Sequence, residues 1–374
     1  MPRPIKLEIS TATLRNNLNV VMQRLNQAVE KLNRHRPCVW AVIKANAYGH
    51  GIAQGVLAFK AADGLAMLDF DEAMQCRQLG WKKPILLLEG FFNYRDLILV
   101  EKHRLSIVIH NFEQLAHLKQ YRPNQPIDAY FKINTGMNRL GFARNEIPKA
   151  WSQMQLLKEK GFINFLGSMT HFALADESVS KTKEQINIFN ELNPNVAGSF
   201  SVCNSAATLN TSLQSLLPDT PQWVRPGICL YGASPFTSKE AAHFGLMPAQ
   251  TLKAEVIGMQ EVAPGQGIGY GHTFKAPTNL SIAVVACGYA DGYPRHAPSG
   301  TPVVVNNQRA KLVGRVSMDM LTIDVTNIAN VKVGSEVILW GAQGPSVDEV
   351  AQHSGTIGYE LVTAVTQRVP RFIE

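Results

Sequence analysis

Short apolar runs alternate with helix-type patterns over the first two thirds of the chain. The runs predict eight strands, near residues 39–43, 65–68, 85–88, 106–109, 129–133, 165–170, 200–203 and 228–231. Helical patterns fall at 11–32, before the first strand, and then at 54–61, 71–79, 94–103, 112–119, 148–160, 181–192 and 206–213. This alternation over roughly 230 residues predicts a (β/α)8 TIM barrel. A doubly wound open sheet is the alternative, because periodicity does not show closure.

The pattern changes after residue 246. Segments that alternate or run apolar are separated by Gly and Pro turns, at 251–259, 281–287, 302–305, 311–316 and 321–325, and helical pattern is nearly absent until 347–353. We therefore expect a barrel domain at 10–245 and a mainly-β domain at 246–374. The strand-like N-terminal segment at residues 1–9 is expected to associate with the second domain.

Composition narrows the class of protein. The 374 residues are 45% hydrophobic and carry a net charge of +7, yet the basic residues are scattered, which argues against nucleic-acid binding. Neither a transmembrane stretch nor the apolar core of a signal peptide is present, so the expected location is the cytoplasm, away from membranes. Five widely spaced cysteines without a CxxC pair indicate reduced thiols and no metal site.

Lys44 is the most informative single residue. It ends the apolar run Cys38–Ile43 and is followed by the segment 45–51, which contains Tyr48 and two glycines. A desolvated lysine amine has a lowered pKa and is a nucleophile that forms a Schiff base. A lysine that extends out of a strand end into solvent is the alternative.

Other polar residues follow the predicted strands, at the end of a barrel where active sites lie. They are Lys132, His171, Asn204 with Ser205, and Arg225. In the β-rich part, Tyr270 is framed by glycines at 267, 269 and 271, and the run 317–320 reads Ser-Met-Asp-Met. Neither GxGxxG nor GxxxxGK[ST] occurs, so the sequence gives no support for a nucleotide loop.

With these residues in view, the chain resembles the bacterial alanine racemases over nearly its whole length. These enzymes use pyridoxal 5′-phosphate (PLP) and combine a barrel with a β domain. The matching motifs lie at 41–51, 132–141, 170–172, 204–208, 225–227, 269–271, 288–293, 317–320 and 358–360. The resemblance implies interconversion of L- and D-alanine, which supplies D-alanine for peptidoglycan or serves its catabolism.

The same resemblance implies a role for each matching residue. Lys44 carries the cofactor and exchanges a proton on one face of the substrate, whereas Tyr270 works on the other face in the site of a partner subunit, so a homodimer is implied. The cofactor would be held by Tyr48, His171, Ser205, Arg225, Gly227, Ile228 and Tyr359. The substrate would be held by Arg139 and Met318, with Lys132, Tyr289 and Asp319 in supporting positions.

One position departs from the family pattern. Lys132 matches a lysine that is often carbamylated, and a carbamate would pair with Arg139. Asn134 stands where aspartate is commoner, which changes the local charge.

Three alternatives remain open: a broader-specificity racemase, a decarboxylase of related fold, and a PLP carrier built on the barrel alone. The missing glycine-rich phosphate loop argues against the decarboxylase, and Tyr270 with its domain argues against the carrier.

Overall fold

The computed structural model describes residues 3–194 and 198–374. Eight parallel strands form the first sheet. Each of the first seven strands pairs with its neighbours in chain order. The strands are Cys38–Val42, Gly64–Met67, Ile85–Leu87, Ser106–Ile109, Ile127–Lys132, Ile163–Met169, Ser199–Ser201 and Trp223–Val224. Most of their residues are buried on both faces, which explains why they appear in the sequence as continuous apolar runs.

The sheet closes into a barrel. Trp223–Val224 pairs in parallel with Cys38–Val42, and a bridge between Phe200 and Gln222 joins it to the seventh strand. Closure removes the two exposed edges that an open sheet would leave. The TIM-barrel prediction is confirmed, and the alternative of a doubly wound open sheet is wrong.

Helices follow the strands around the barrel. They are Thr11–Leu32, Ile52–Ala58, Phe70–Gln78, Asp96–Lys102, Phe112–Tyr121, Ile147–Glu159, Val179–Leu192, Ser205–Leu209 and Thr211–Gln214. Side-chain oxygens of Ser10, Asp69, Asn111 and Ser178 cap four of them, as helix N-termini require. None of the described helices is both long enough and apolar enough to cross a membrane.

Two predicted elements differ in the structure. The single helix expected at 206–213 is two short helices that meet at Asn210, whose side chain caps the second. The strand expected at 228–231 is wrong: Ile228–Tyr231 is a 3-10 turn, and Trp223–Val224 is the eighth strand. The four residues of the turn are fully buried, and a short buried run is apolar in either conformation, so the pattern does not distinguish them.

The second sheet is mainly antiparallel and also has eight strands. They are Ile5–Ile9, Gln250–Val262, Leu280–Val285, Pro302–Val305, Gln308–Leu312, Leu321–Asp324, Glu336–Trp340 and Arg371–Ile373. The N-terminal strand Ile5–Ile9 pairs antiparallel with Gln250–Val262. The sequence pattern predicted the helix Val347–His353. It did not predict the strands Glu336–Trp340 and Arg371–Ile373 or the helix Gly358–Ala364.

A small hairpin extends from this second part. Its strands, Gly267–Ile268 and Phe274–Lys275, pair antiparallel and enclose a turn at Tyr270–His272. A small separate apolar cluster that includes Ile268 and Leu280 lies beneath it. The hairpin therefore has packing of its own, and it presents Tyr270 away from the body of the chain.

Asn17 joins the long first helix to the loops that follow the barrel. Its side chain is fully buried and donates to the carbonyl oxygens of Leu230 at 3.2 Å and Met247 at 2.8 Å. Its own oxygen accepts the N–H of Met247 at 2.9 Å. All three bonds are made across the interior, where an unpaired polar group is costly.

We predict that Asn17→Ala lowers the free energy of unfolding by roughly 1–3 kcal/mol, because three backbone groups, one of them in a fully buried bond, lose their partner. Urea denaturation followed by circular dichroism measures the change. Asn19→Ala is the matched control, since Asn19 lies on the same helix and is exposed. Equal stability of the two variants would contradict the role given to Asn17.

Candidate active site

A cavity of about 350 Å³ opens at the carboxyl ends of the barrel strands. It brings together ten of the residues singled out from the sequence, contributed by different strands and by one helix of the second part. They are Lys44, Tyr48, Lys132, Arg139, His171, Asn204, Ser205, Arg225, Gly227 and Tyr359. Ile228, which directly follows Gly227, is fully buried and is not among the lining residues.

Lys44 is followed by an unusual backbone. The four non-glycine residues Ala45, Asn46, Ala47 and Tyr48 all have φ between 50° and 54°, and Gly49 continues with φ of 79°. This is one turn of left-handed helix, which costs roughly 1–2 kcal/mol per residue for side chains with a Cβ. The positive φ angles therefore extend beyond the two glycines of this segment to residues that carry a side chain.

Hydrogen bonds around Asn46 hold this left-handed turn. Its N–H donates to the carboxylate of Glu72 at 2.5 Å, and its side-chain oxygen accepts the N–H of Ile52 at 3.1 Å. The carbonyl oxygen of Asn46 accepts the N–H of Gly51 at 2.8 Å. Glu72 belongs to the helix Phe70–Gln78, and nothing in the sequence signals its link to the lysine segment.

The environment of Lys44 favours the neutral amine. Burial lowers the pKa of this lysine, the Arg139 cation lowers it further, and Glu89 acts in the opposite direction. A lysine amine with a lowered pKa is the nucleophile that Schiff-base chemistry needs. The alternative of a solvated lysine at a strand end does not agree with this position, which lines the cavity beside other cations.

Arg225 and His171 form the back of the cavity. The Arg225 guanidinium is buried and donates to the carbonyl oxygens of Ser201 at 2.5 Å and Thr170 at 2.7 Å. It also lies 3.2 Å from Nδ1 of His171. Because arginine only donates, Nδ1 accepts, and the ring proton is assigned to Nε2. Burial and the nearby Arg225 hold the pKa of His171 well below its usual value, so the ring is neutral.

Positive charge dominates this cavity. Lys44, Lys132, Arg139 and Arg225 line it, and Glu89 is the carboxylate among the lining residues. Burial, with Arg225 and Arg139 nearby, lowers the pKa of Lys132 to about 8. Such a cluster is stabilised by an anionic ligand. Glu89 was missed in the sequence, although it follows the strand Ile85–Leu87 and the rule of strand ends identifies it.

Asn134 organises the loop that carries Arg139. Its side-chain oxygen accepts the N–H groups of Gly136 at 3.0 Å and Asn138 at 3.1 Å, and its amide donates to the Asn138 side chain at 3.0 Å. The turn needs an oxygen acceptor at this position, which asparagine supplies without a charge. Asn134 therefore supplies the acceptor that this loop uses.

The other end of the cavity is lined by hydroxyl groups. Ser205 accepts the N–H of Gly227 at 2.8 Å, and a Cβ on Gly227 would lie 2.5 Å from the Tyr48 hydroxyl. The Tyr48 ring lies 6.2 Å from that of Tyr359. Burial raises the pKa of both phenols, so they remain hydrogen-bond donors. Hydroxyl donors around a backbone that only glycine permits form a pocket that fits a phosphate group.

Four predicted residues lie outside this cavity within the chain. Tyr270, Tyr289, Met318 and Asp319 all belong to the second part, and none of them lines it. Tyr270 is 73% exposed and Met318 is 53% exposed. A single chain therefore brings together the lysine side of the predicted site and leaves the tyrosine side on its surface.

Comparisons with known proteins agree with this architecture. The family model "Alanine racemase, N-terminal domain" matches residues 9–235, and "Alanine racemase, C-terminal domain" matches residues 249–373. The chain is 51% identical to an alanine racemase of Bordetella avium over 370 residues, which cover 99% of each protein. The match of the second model overturns the alternative of a carrier built on the barrel alone.

Solved structures agree as well. The crystal structure of the biosynthetic alanine racemase from Pseudomonas aeruginosa superposes with a TM-score of 0.91 at 40% identity, covering 100% of this chain and 99% of that one. That of Acinetobacter baumannii gives 0.86 at 34% identity, with full coverage of both chains. The resemblance seen in the motifs is confirmed: the chain belongs to the alanine racemase family, and its reaction is the racemisation of alanine.

Proposed function

We propose that this chain racemises alanine with pyridoxal 5′-phosphate bound at Lys44, using Lys44 and the Tyr270 of a second copy as its two proton-transfer groups. The observation that carries the proposal is the division of the predicted site. Lys44 and the phosphate-type pocket share one cavity, whereas Tyr270 is 73% exposed outside it. A homodimer that inserts Tyr270 into the partner's cavity completes the set.

The cavity suits each part of the cofactor. The phosphate would be held by Tyr48, Ser205, Tyr359 and the N–H groups of Gly227 and Ile228. The Gly227 N–H would exchange its hydrogen bond to Ser205 for one to the phosphate. Arg225 would face the pyridine nitrogen. When bound, the cofactor withdraws electrons from Cα of the amino acid and makes its α-proton acidic. Arginine keeps its own proton, so Arg225 leaves the ring nitrogen largely unprotonated, which disfavours side reactions such as transamination.

Two acid–base groups are needed because the proton leaves one face of Cα and returns to the other. Lys44, whose pKa is lowered by burial and by Arg139, would serve the D-alanine face. Tyr270 would serve the L-alanine face. A free phenol has a pKa near 10 and is a weak base at neutral pH, so it needs stabilisation as phenolate. The Nε2 proton of His171, held in place through Arg225, is available to donate to it.

Substrate binding would use charge and size. Arg139 and the N–H of Met318 from the partner would hold the carboxylate, and Tyr270, Tyr289 and Tyr359 would narrow the entrance around a methyl side chain. One methylene is worth only about 1–3 kcal/mol of discrimination, so slow turnover of serine follows. We keep a broader-specificity racemase as the second candidate on this ground.

The remaining expectations are part of the same proposal. We infer a division at 10–245 and 246–374, with residues 1–9 joined to the second domain. The enzyme would act in the cytoplasm and supply D-alanine for peptidoglycan or serve D-alanine catabolism. Asp319 would support the substrate site from beside Met318.

Proton NMR of the PLP-loaded protein with L-alanine in D₂O, combined with a chiral assay, tests the two-base proposal. We expect the α-proton signal to disappear while D-alanine appears until the enantiomers are equal.

Tyr270→Phe should retain the cofactor and lose about 10²–10⁴-fold in turnover of L-alanine, the usual contribution of an acid–base group. Tyr94→Phe, at an exposed tyrosine that does not line the cavity, is the matched control. Undiminished racemisation by Tyr270→Phe would exclude the proposal.

Gly227→Ala tests the phosphate pocket. The added Cβ would lie 2.5 Å from the Tyr48 hydroxyl, so the pocket must distort, and we expect at least a tenfold weaker affinity for PLP, or about 1.4 kcal/mol. Titration of the apoprotein with PLP, followed by absorbance, measures it. In Gly258→Ala the new Cβ meets Val284 at 3.8 Å, an ordinary contact, so this control should bind normally.

Lys132 provides a test with a defined pH dependence. Burial with Arg225 and Arg139 nearby lowers its pKa to about 8, so the neutral amine that reacts with carbon dioxide predominates above that pH and declines below it. With ¹³C-bicarbonate we expect a carbamate signal that is stronger at pH 8.5 than at pH 7. The signal should be absent from Lys132→Met. A signal that persists in this variant would place the carbamate on another amine.

A further inference from the structure

Two arginines and two aspartates form an ionic cluster in the second part of the chain. One terminal nitrogen of Arg3 lies 2.8 and 2.9 Å from the two carboxylate oxygens of Asp291, and the other donates to the carbonyl oxygen of Asp319. Arg368 bridges the same two aspartates, with Nε 3.0 Å from Asp291 and a terminal nitrogen 2.7 Å from Asp319. The formal charges of the four side chains cancel.

This cluster connects segments that are far apart along the chain. Arg3 precedes the first strand, Ile5–Ile9, and Arg368 precedes the last, Arg371–Ile373. Asp291 ends the 3-10 turn Tyr289–Asp291, and Asp319 lies in the turn 317–320. The two arginines therefore fasten the turn that carries Met318 to the edge of the second sheet.

Asp291 is the anchor of this arrangement. It has no exposed surface, and besides the two arginines it accepts the N–H of Gly288 at 2.9 Å. A buried carboxylate is stable only with such partners, because an uncompensated buried charge is strongly destabilising. The positions of Arg3 and Arg368 are consequently well determined, although both side chains are partly exposed.

Backbone hydrogen bonds join the turn at 317–320 to the 3-10 turn Tyr289–Asp291. Its carbonyl oxygens at Ser317 and Met318 accept the N–H groups of Tyr289 at 3.0 Å and Ala290 at 2.9 Å, and the Ser317 N–H donates to Met320 at 2.9 Å. These bonds do not use the N–H of Met318. Met318 itself is 53% exposed and does not line the chain's own cavity.

We propose that Arg3 and Arg368 are positioning residues for substrate binding: through Asp319 and Asp291 they hold the Met318 turn so that its N–H meets the substrate carboxylate in the partner's site. The inference rests on the proposed function, since it requires Met318 to act across the dimer. Neither arginine touches the substrate. Their effect reaches only the carboxylate contact, so it alters KM and leaves proton transfer by Lys44 and Tyr270 unchanged.

Arg3→Gln in the PLP-loaded homodimer should raise KM for L-alanine about tenfold, the equivalent of one lost hydrogen bond, with kcat within about twofold of the parent. The dissociation constant of propionate, a carboxylate without an amine, measured by calorimetry on the same protein, should rise by the same factor. Arg3→Lys keeps the charge but cannot reach Asp291 and Asp319 together, so an intermediate value is expected. Arg368→Gln, which removes the second bridge, provides an independent variant if Arg3→Gln folds poorly.

Hybrid dimers distinguish positioning from general destabilisation. A Lys44→Ala chain is paired with an Arg3→Gln chain that carries a different tag. In this hybrid one site combines Lys44 of the Arg3→Gln chain with the unaltered Met318 turn of the Lys44→Ala chain. The other site lacks Lys44 and is inactive. Because the altered turn then serves the dead site, we expect KM to return to the parent value. A loss that acted within the chain's own barrel would remain in the hybrid.

Two controls complete the experiment. A hybrid of Lys44→Ala with Tyr270→Phe tests the composite site itself, and Arg144→Gln, which breaks an exposed arginine–carboxylate pair with Glu191 on the barrel surface, should leave KM unchanged. An active control hybrid together with a KM that stays raised in the Arg3→Gln hybrid would overturn this inference alone. An inactive control hybrid would overturn the composite site, and the inference with it.

Discussion

The pairing of the first and last barrel strands is the constraint on which the site depends. Cys38–Val42 and Trp223–Val224 lie side by side, and the Val42 N–H continues the pairing by donating to the carbonyl oxygen of Pro226 at 3.0 Å. Lys44 and Arg225, which follow these strands, are thereby placed in one cavity although 180 residues separate them. An open sheet with the same elements would leave these two residues at opposite edges.

Closure also concentrates charge. Four cations line a cavity in which Glu89 is the carboxylate, and the same low-dielectric surroundings lower the pKa of Lys44, Lys132 and His171. Charged groups that repel each other in a buried site are arranged for a function and not for stability. The arrangement favours an anionic ligand, shifts the Lys44 amine toward its neutral form and keeps the imidazole neutral, which is the direction that the proposed chemistry uses.

The second part of the chain is as necessary to the site as the barrel. Its helix Gly358–Ala364 returns Tyr359 to the cavity of the same chain, whereas its hairpin and the turn at 317–320 present Tyr270 and Met318 outward. One domain therefore contributes Tyr359 to the cavity of its own chain and leaves Tyr270 and Met318 exposed. Under the proposed function, activity would depend on association, since a single chain does not hold Lys44 and Tyr270 in one cavity.

By itself the sequence determined the alternation of strands and helices in the first part, the β-rich second part and most of the lining residues, because burial on both faces makes parallel strands apolar and their ends are marked by Lys44, Lys132, His171 and Arg225. Closure of the sheet into a barrel was decided by the structure. Features that depend on contacts distant in the chain were decided only by the tertiary structure. Ile228–Tyr231 is a turn because its surroundings bury it fully, and Ala45 to Tyr48 adopt a left-handed turn against their own preference because Glu72 and Asn46 hold it. The local sequence pattern indicates which residues are buried. The groups that hydrogen-bond a strained backbone, or that pair with a buried charge such as Asp291, come from distant parts of the chain.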